Sequence, residues 1–267
     1  CFEFTGKFPE HVMAKDVILS VIGDIGVDGA TYRAMEWRGD AVMKLSMEER
    51  MTLCNMAIEA GGKNGIIEAD DVTLDYVKQR TDAPYKVYHS DDDAKYFFKK
   101  TYNASEMEPV VAKPHSPDNK AKVSECVDVK LDRAYIGSCT GGKITDFIAA
   151  ARLLKGKKVK IDTFIVPATR EVEQDLYKEK IGGESLMDIF KSSGAYLGEP
   201  SCAACLGGPK DTFGRATDNQ VVISTTNRNF PGRMGSKQSQ VYLASPYTAA
   251  ASALTGHITN PAEFINN

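Results

Sequence analysis

The order of hydrophobic and polar residues predicts an α/β protein. In the second half of the chain, short apolar runs typical of strands alternate with longer stretches of helical periodicity. The strand-like runs are RAYIG, VKIDTFIVPA, NQVVISTT and QVYLAS, and the helical stretches are KITDFIAAARLLKG, REVEQDLYKEKIGG, ESLMDIFKSSG and PYTAAASALTG. This alternation indicates a parallel sheet that is covered on both faces.

The first half contains one helix whose two ends are marked by its sequence. In LSMEERMTLCNMAIEAGG, Ser46 is the expected N-cap, Glu49 completes a capping box, and a Gly-Gly pair ends the helix. Its apolar stripe is predicted at Met47, Met51, Cys54 and Ile58. Asn55 and Glu59 lie four residues apart, so we expect both side chains on one helix face.

A stretch without clear periodicity separates the two halves. Residues 109–125, PVVAKPHSPDNKAKVSE, are rich in proline and polar residues and are interpreted as a linker. It would join an α/β domain of residues 1–108 to a doubly wound α/β domain of residues 126–267. Ligands of parallel sheets bind beyond the carboxyl ends of the strands. The residues predicted there are Cys139, Asn227, Arg228 and Ser245.

Charge and length exclude several functional classes. The chain has 267 residues and a net charge of -3 at pH 7, and it has no basic run, which argues against a nucleic-acid partner. It has no apolar stretch of membrane-spanning length, so no membrane partner is expected. It begins CFEFTGKF, without an initiator methionine and with the alternation of a strand entered partway. We therefore expect the chain to be a piece of a longer protein.

Six cysteines are too few for a dense disulfide framework in a chain of this size. They favour metal-binding or catalytic thiols in an intracellular protein.

One of these cysteines lies in a glycine-rich loop, GSCTGGK at residues 137–143. The loop nearly matches the phosphate-loop pattern, but Ile144 occupies the position of the hydroxyl residue that binds magnesium. Cys139 instead precedes a predicted helix, whose N-terminus stabilises the thiolate that binds metals. The alternative interpretation is that Cys139 is a small buried residue.

Cys202 and Cys205 form a Cys-x-x-Cys pair within EPSCAACLGG. Such a pair can be a thiol redox site, half of a zinc site, or two ligands of an iron–sulfur cluster. A closed zinc site is disfavoured because a second pair is absent and the four histidines are scattered. Together with Cys139, the pair would hold a cubane cluster and leave one iron open as a Lewis acid. The glycines at 141, 142, 207 and 208 would then permit close approach of the backbone to the cluster.

The segment TTNRNFPGRMG follows a predicted strand and contains Arg228 and Arg233. The planar guanidinium donates two parallel hydrogen bonds to a carboxylate. Two arginines near an open iron would suit a di- or tricarboxylate substrate, whereas the alternative is a solvated loop.

Taken together, YIGSCTGGK, CAACLGG and STTNRNFPGRMG resemble the aconitase superfamily in their order and distances. IGVDGATYRAMEWRGD, SMEERMTLCNMAIEAGGKNG and VVAKPHSPDN resemble the large subunits of its isopropylmalate/homoaconitate branch, so the resemblance covers essentially the whole chain. It implies an aconitase-like α/β fold and a [4Fe-4S] cluster with one iron not ligated by protein. The implied cluster ligands are Cys139, Cys202 and Cys205, the implied catalytic residues are Asn55 and Glu59, and the implied substrate-binding residues are Asn227, Arg228 and Arg233.

The implied reaction is that of a hydro-lyase, which interconverts 2- and 3-isopropylmalate in leucine biosynthesis by dehydration and rehydration. A homoaconitase-type activity is the alternative within the branch. The resemblance also implies a separate small subunit that supplies a catalytic serine and a further arginine, together with an N-terminal region preceding this chain. The isolated chain is therefore expected to be inactive. The implied compartment is the cytoplasm in prokaryotes, and the plastid stroma or another organelle matrix in eukaryotes.

Three alternatives from other classes stay open on sequence grounds. They are a cluster-free RNA-binding protein, a phosphate-loop nucleotide hydrolase, and a thiol redox protein that uses Cys202 and Cys205.

Overall fold

Two β-sheets organise residues 1–265, which are the residues that the computed structural model describes. The first sheet has four parallel strands in the order β3-β2-β1-β4. Its strands are β1 (Phe2–Thr5), β2 (Ala34–Arg38), β3 (Asn64–Ile67) and β4 (Lys100–Asn103). The helices of this half are α1 (Ala14–Ile25), α2 (Asp40–Met43), α3 (Met47–Asn55) and α4 (Asp71–Lys78).

The second sheet has seven strands in the order β11-β8-β7-β12-β13-β5-β6. The strands are β5 (Val110–Ala112), β6 (Lys120–Lys122), β7 (Arg133–Gly137), β8 (Asp162–Val166), β11 (Tyr196–Leu197), β12 (Val221–Ser224) and β13 (Gln240–Leu243). The five from β11 to β13 in that order pair in parallel, and β5 and β6 are antiparallel additions. A small hairpin is formed by β9 (Lys180–Ile181) and β10 (Glu184–Ser185). The helices are α5 (Ile144–Leu154), α6 (Arg170–Lys178), α7 (Leu186–Ser193), α8 (Pro246–Thr255) and α9 (Ala262–Ile265).

The strand order places a topological switch point between β7 and β12. The chain leaves β7 toward β8 on one side, and it leaves β12 toward β13 on the other side. In open α/β sheets, the loops that diverge at such a point enclose a crevice at the carboxyl ends of the strands. The segments after β7 and β12 are therefore brought together by topology.

The alternation along β7 explains how this sheet is covered. Ala134 and Ile136 pack in a core with α5 to α8, whereas Tyr135 points into a core shared with α1. The α/β fold class predicted from the sequence is correct. The helices α5 to α8 pack into the core on one face, and the opposite face is covered by α1 of the first half and by loops.

The interpretation of residues 109–125 as a linker is wrong. Val110, Val111 and Ala112 are buried and form β5, which pairs with β13 and with β6. Most of the polar residues and both later prolines belong to the hairpin connection after β5. The division into 1–108 and 126–267 therefore leaves out two strands of the second sheet. These strands are too short to show the alternating pattern by which a strand is recognised in a sequence.

The predicted apolar stripe of α3 is also wrong. Ile58 is 51% exposed, and Met51 and Cys54 are half-buried, whereas Arg50 is buried. The α-helix ends at Asn55 and tightens into a 3₁₀ helix at Met56–Ala60, which rotates the following side chains. The capping box at the start of α3 is present as predicted. The predicted helix REVEQDLYKEKIGG is shorter than expected, because its last residues form the β9–β10 hairpin.

Asp16 ties the two halves of the chain together from the first turn of α1. Its carboxylate accepts hydrogen bonds from the backbone N–H of Met13 at 2.9 Å and of Val110 at 3.2 Å. Ser245, which caps α8, lies close enough to lower the pKa of the same carboxyl group. Burial raises the pKa of Asp16 to about 7, although these hydrogen bonds oppose the shift.

The raised pKa of Asp16 predicts how the stability of the folded chain changes with pH. In the unfolded chain an aspartate ionises near pH 4, so the folded state binds the extra proton between about pH 4 and pH 7. The stability that this proton confers is complete below pH 4 and is lost as pH rises toward 7, by at most about 1.4 kcal/mol per pH unit. We expect Asp16→Asn to flatten this decline in urea unfolding measured from pH 5 to pH 7.5. An unchanged slope in the variant would refute the assignment to Asp16.

Candidate functional site

The loop between β7 and α5 exposes a thiol on a strained turn. Ser138 has a φ of +81°, an uncommon conformation for a residue with a side chain, and Cys139 after it is exposed. The backbone N–H of Lys143 then donates to Asp146 at 2.9 Å, which caps α5. The strand, turn and helix predicted around Cys139 are therefore confirmed.

The loop after β12 packs directly on this turn. The Thr225 hydroxyl accepts a hydrogen bond from the backbone N–H of Gly137 at 2.8 Å. A Cβ atom at Gly141 would lie 2.3 Å from the Cβ of Thr225, so only glycine permits this contact. A Cβ at Gly142 would lie 2.8 Å from the Ser138 carbonyl oxygen. These two glycines are thus required by contacts within the protein, whereas the sequence-based interpretation attributed them to a cluster.

Asn227 connects three of the predicted site residues. Its Nδ2 donates to Asn55 Oδ1 at 3.0 Å and lies 3.6 Å from the Sγ atom of Cys139. Its backbone N–H donates to the thiol of Cys205. A single residue after β12 therefore contacts a residue of α3, the thiol after β7 and one thiol of the Cys-x-x-Cys pair.

The Cys-x-x-Cys pair lies in the loop between β11 and β12. Cys202 is exposed and Cys205 is buried, and a 3₁₀ turn at Ala204–Leu206 follows the first cysteine. Burial raises the pKa of Cys205, and the nearby charge of Cys139 raises it further. Burial also raises the pKa of Tyr135, with additional contributions from Cys205 and Cys202. Both thiols of the pair therefore lie near enough to β7 to influence Tyr135, and Cys205 also lies near enough to Cys139 for the two to influence each other.

Glu59 pairs with the residue next to Asn227. Its carboxylate accepts a hydrogen bond from Arg228 Nε at 2.6 Å, and its side chain is only 4% exposed. Burial raises the pKa of Glu59, and Arg228 opposes this shift. Asn55 and Glu59 therefore contact consecutive residues of one loop, although they do not share the predicted face of a single α-helix, because α3 ends at Asn55 and Glu59 lies in the 3₁₀ helix that follows. The same pairing commits the Nε of Arg228 to a protein carboxylate.

Arg233 has an unused hydrogen-bond donor. Within residues 1–265, its buried Nε atom has no acceptor. Its charge lowers the pKa of both Glu59 and Cys205, although burial raises each of them more strongly. A buried guanidinium donor without an acceptor, next to a thiol and a carboxylate, suits an anionic ligand.

Two lysines of the site were not found from the sequence. Lys15 on α1 is 1% exposed, and burial lowers its pKa to about 8. Lys143 is half-buried, and its Nζ donates to the Thr52 hydroxyl of α3 at 2.7 Å. A lysine in an apolar helix such as AKDVILSVIGDI normally reaches solvent, so its sequence carries no signal of burial.

A cleft of about 510 Å³ opens beside Cys139. Its polar lining consists of Asn55, Lys63, Asn64, Cys139 and Lys143. In residues 1–265 no three His, Cys, Asp or Glu side chains are close enough to share one metal ion. A cubane cluster places each thiolate on a different iron, so its ligands need not meet at one point. The donor set of three free thiols therefore fits a cluster better than a single ion.

The fold and the site together define an α/β protein in which two thiol-bearing loops and an arginine-rich loop meet at a switch point. The chain belongs to the aconitase family: the family described as "Aconitase family (aconitate hydratase)" matches residues 1–256. The resemblance inferred from the three motifs is thereby confirmed.

Several relatives carry the same name over nearly the whole of this chain. It is 56% identical, over 99% of its length and 53% of the relative, to the "3-isopropylmalate dehydratase large subunit, chloroplastic" of Arabidopsis thaliana. It is 52% identical, over 98% of its length and 61% of the relative, to the corresponding large subunit of Heliobacterium modesticaldum. A Pyrococcus abyssi large subunit is 47% identical over 99% of this chain and 62% of the relative. The chain thus spans between half and two thirds of the length of these relatives. In residues 1–265, no helix is long and apolar enough to cross a membrane.

Proposed function

We propose that this chain provides the cluster-binding and substrate-binding part of a hydro-lyase that interconverts 2- and 3-isopropylmalate. The observation that carries this proposal is the position of Asn227, which contacts Cys139, Cys205 and Asn55 at once. The names of the relatives support the substrate. We propose that the reaction belongs to leucine biosynthesis. The designation of these relatives as large subunits supports a small-subunit partner, which we propose is required for turnover.

Cys139, Cys202 and Cys205 are the residues that would hold a [4Fe-4S] cluster. The three thiols are free, Cys139 and Cys202 are exposed, and Cys139 lines the cleft. When bound, the cluster supplies a Lewis acid that polarises the hydroxyl group of the substrate. The chain's own contribution is to orient these thiols, since Asn227 donates both to Cys205 and toward Cys139.

The polar groups of the cleft and of the loop after β12 suit a hydroxylated dicarboxylate. The free Nε of Arg233 offers a donor to one carboxylate, and Lys63 and Lys143 add positive charge to the cleft lining. Arg228 would bind a carboxylate through the remaining nitrogens of its fork while it holds Glu59. Asn55 points its amide toward the Cys139 thiol, where the reacting hydroxyl would lie.

Glu59 is suited to acid–base chemistry. Burial raises its pKa, and the hydrogen bond and charge of Arg228 oppose this shift. A carboxyl group in this balance can hold or release a proton within the crevice. We therefore assign Glu59 and Asn55 to the catalytic site, and Asn227, Arg228 and Arg233 to substrate binding.

The phosphate-loop alternative is disfavoured by one contact. A phosphate-loop lysine must reach the phosphates, whereas Lys143 donates to Thr52 on a neighbouring helix. A homoaconitase-type activity would use the same cluster loops and differs only in the substrate. For the compartment, the plastid stroma of a eukaryotic source stays a prediction, in keeping with the printed name of the Arabidopsis relative.

A substrate-binding experiment tests the proposal. The chain is reconstituted anaerobically with iron and sulfide, reduced with dithionite, and examined by EPR before and after addition of 2-isopropylmalate. We expect a cluster signal that shifts on substrate addition in the wild type and does not shift in Arg233→Gln. A signal that responds only to homoaconitate would assign the alternative substrate. A cluster that responds to neither compound, or no cluster at all, would refute the proposed function.

A further inference from the structure

Lys15 is the least expected charge near the candidate cluster site. It lies on α1, in the first half of the chain, and its side chain crosses to the second sheet. Its Nζ atom donates to Thr140 Oγ1 at 2.9 Å, and to the carbonyl oxygens of Thr225 and Thr226 at 2.8 Å each. All three protons of the ammonium group are thereby used.

These three acceptors lie on the two loops that carry the site. Thr140 directly follows Cys139, and Thr225 and Thr226 directly precede Asn227. A single ammonium group therefore holds the β7 loop and the β12 loop at a fixed separation. Because the residue is 1% exposed, its hydrogen bonds are not exchanged with water.

The acceptors of Lys15 are a hydroxyl and two carbonyls, which are all neutral. A buried cation requires a compensating negative charge in its surroundings. Burial lowers the pKa of Lys15, and among its neighbours Cys139 opposes this shift most, followed by Asp146. Lys143 lowers the pKa of Lys15 further, whereas Cys205 raises it.

Asp146 is engaged elsewhere. It is buried and accepts a hydrogen bond from the backbone N–H of Lys143. The charge of Lys143 also lowers the pKa of Asp146 more than the charge of Lys15 does. Among the neighbouring groups that can carry a negative charge, Cys139 therefore influences Lys15 most. In the reduced cluster, this negative charge increases by one unit.

We propose that Lys15 is a positioning residue that holds the Cys139 and Asn227 loops together and raises the reduction potential of the bound cluster. This inference rests on the proposed function, because it presupposes a cluster at the three cysteines. A fixed positive charge in a water-excluded site favours the more negative oxidation state of its neighbour. Removing that charge should therefore make the cluster harder to reduce.

The test is an EPR-monitored redox titration of the reconstituted chain and of Lys15→Met. At a poise equal to the wild-type midpoint, we expect the ratio of reduced to oxidised cluster to fall at least tenfold in the variant, which corresponds to about 59 mV for a one-electron step. The matched control is Lys78→Met, which removes the same charge from an exposed side chain on α4. At the same poise, the ratio of reduced to oxidised cluster in this control should agree with that of the wild type within twofold.

A second variant separates charge from hydrogen bonding. Lys15→Gln keeps two N–H donors without the charge, and it serves as the test if Lys15→Met does not fold. We expect Lys15→Gln to bind iron in the wild-type amount and to show the lowered potential. A folded, cluster-containing Lys15→Met or Lys15→Gln with the wild-type potential would overturn the inference. The absence of a cluster in the wild type would instead reject the proposed function, so the two failures are distinguishable.

Discussion

Replacement of Cys139 by serine is expected to abolish cluster binding while leaving the fold intact. Cys139 is exposed and belongs to neither apolar core, so the substitution removes no packing. A serine hydroxyl stays protonated at neutral pH and is a poor ligand for iron in place of a thiolate. Only two of the three proposed ligands would remain. We therefore expect the iron content and the EPR signal after anaerobic reconstitution to fall to background.

The matched control is Cys126→Ala. Cys126 is a buried thiol in the core around α5 and α8, outside the candidate site. Its replacement should lower the unfolding free energy by about 1 kcal/mol and leave the iron content unchanged. Full iron binding by Cys139→Ser, with a normal circular dichroism spectrum, would show that Cys139 is not a ligand. Loss of iron in the Cys126 variant would indicate that the assay reports stability instead of ligation.

Asp70→Ala is expected to destabilise the folded chain by about 3 kcal/mol or more. Asp70 forms a two-point ion pair with Arg50, at 2.5 Å from Nη1 and 2.8 Å from Nη2. The side chain of Arg50 is 2% exposed, so removal of its partner leaves a buried charge uncompensated. Asp70 also caps α4 by accepting from the Thr73 N–H at 3.2 Å. Because Asp70 itself is 29% exposed, we expect the lower end of the range for broken buried pairs.

Urea unfolding at pH 7 measures this effect, with Asp71→Ala as the control. Asp71 is the exposed neighbour of Asp70, and its removal should change the unfolding free energy by less than about 0.5 kcal/mol. Hydrogen bonding to Arg50 lowers the pKa of Asp70, so its contribution is present above about pH 4 and is lost as pH falls further. The double variant Arg50→Met/Asp70→Ala should recover part of the loss. A loss below about 1 kcal/mol in Asp70→Ala would contradict the importance of the pair.

This ion pair also matters for the site. Arg50 lies on α3, and Asn55 is the last residue of the same helix. Anchoring α3 to the start of α4 therefore fixes the helix end that presents Asn55 to Asn227. We expect substrate binding to weaken in Asp70→Ala even under conditions where the chain remains folded.

The sequence by itself determined the α/β class and the positions of the candidate ligands. Parallel strands end at a common edge, so a thiol after RAYIG and an asparagine after VVISTT were expected at the same edge of the sheet. Both ends of α8 could also be predicted, because Pro246 and Gly256 act through local backbone geometry. These features depend on hydrophobic periodicity and on residues close in sequence, and both can be recognised in a single sequence.

Only the tertiary structure decided which polar residues are buried and what they contact. Lys15 bonds to residues 125 and more positions away, and the burial of Arg50 depends on a partner twenty residues later. In the sequence, each looks like a solvated residue on a helix, because local periodicity does not encode a distant acceptor. The same limitation applies to β5, which is recognisable as a strand only once β13 and β6 supply its hydrogen bonds.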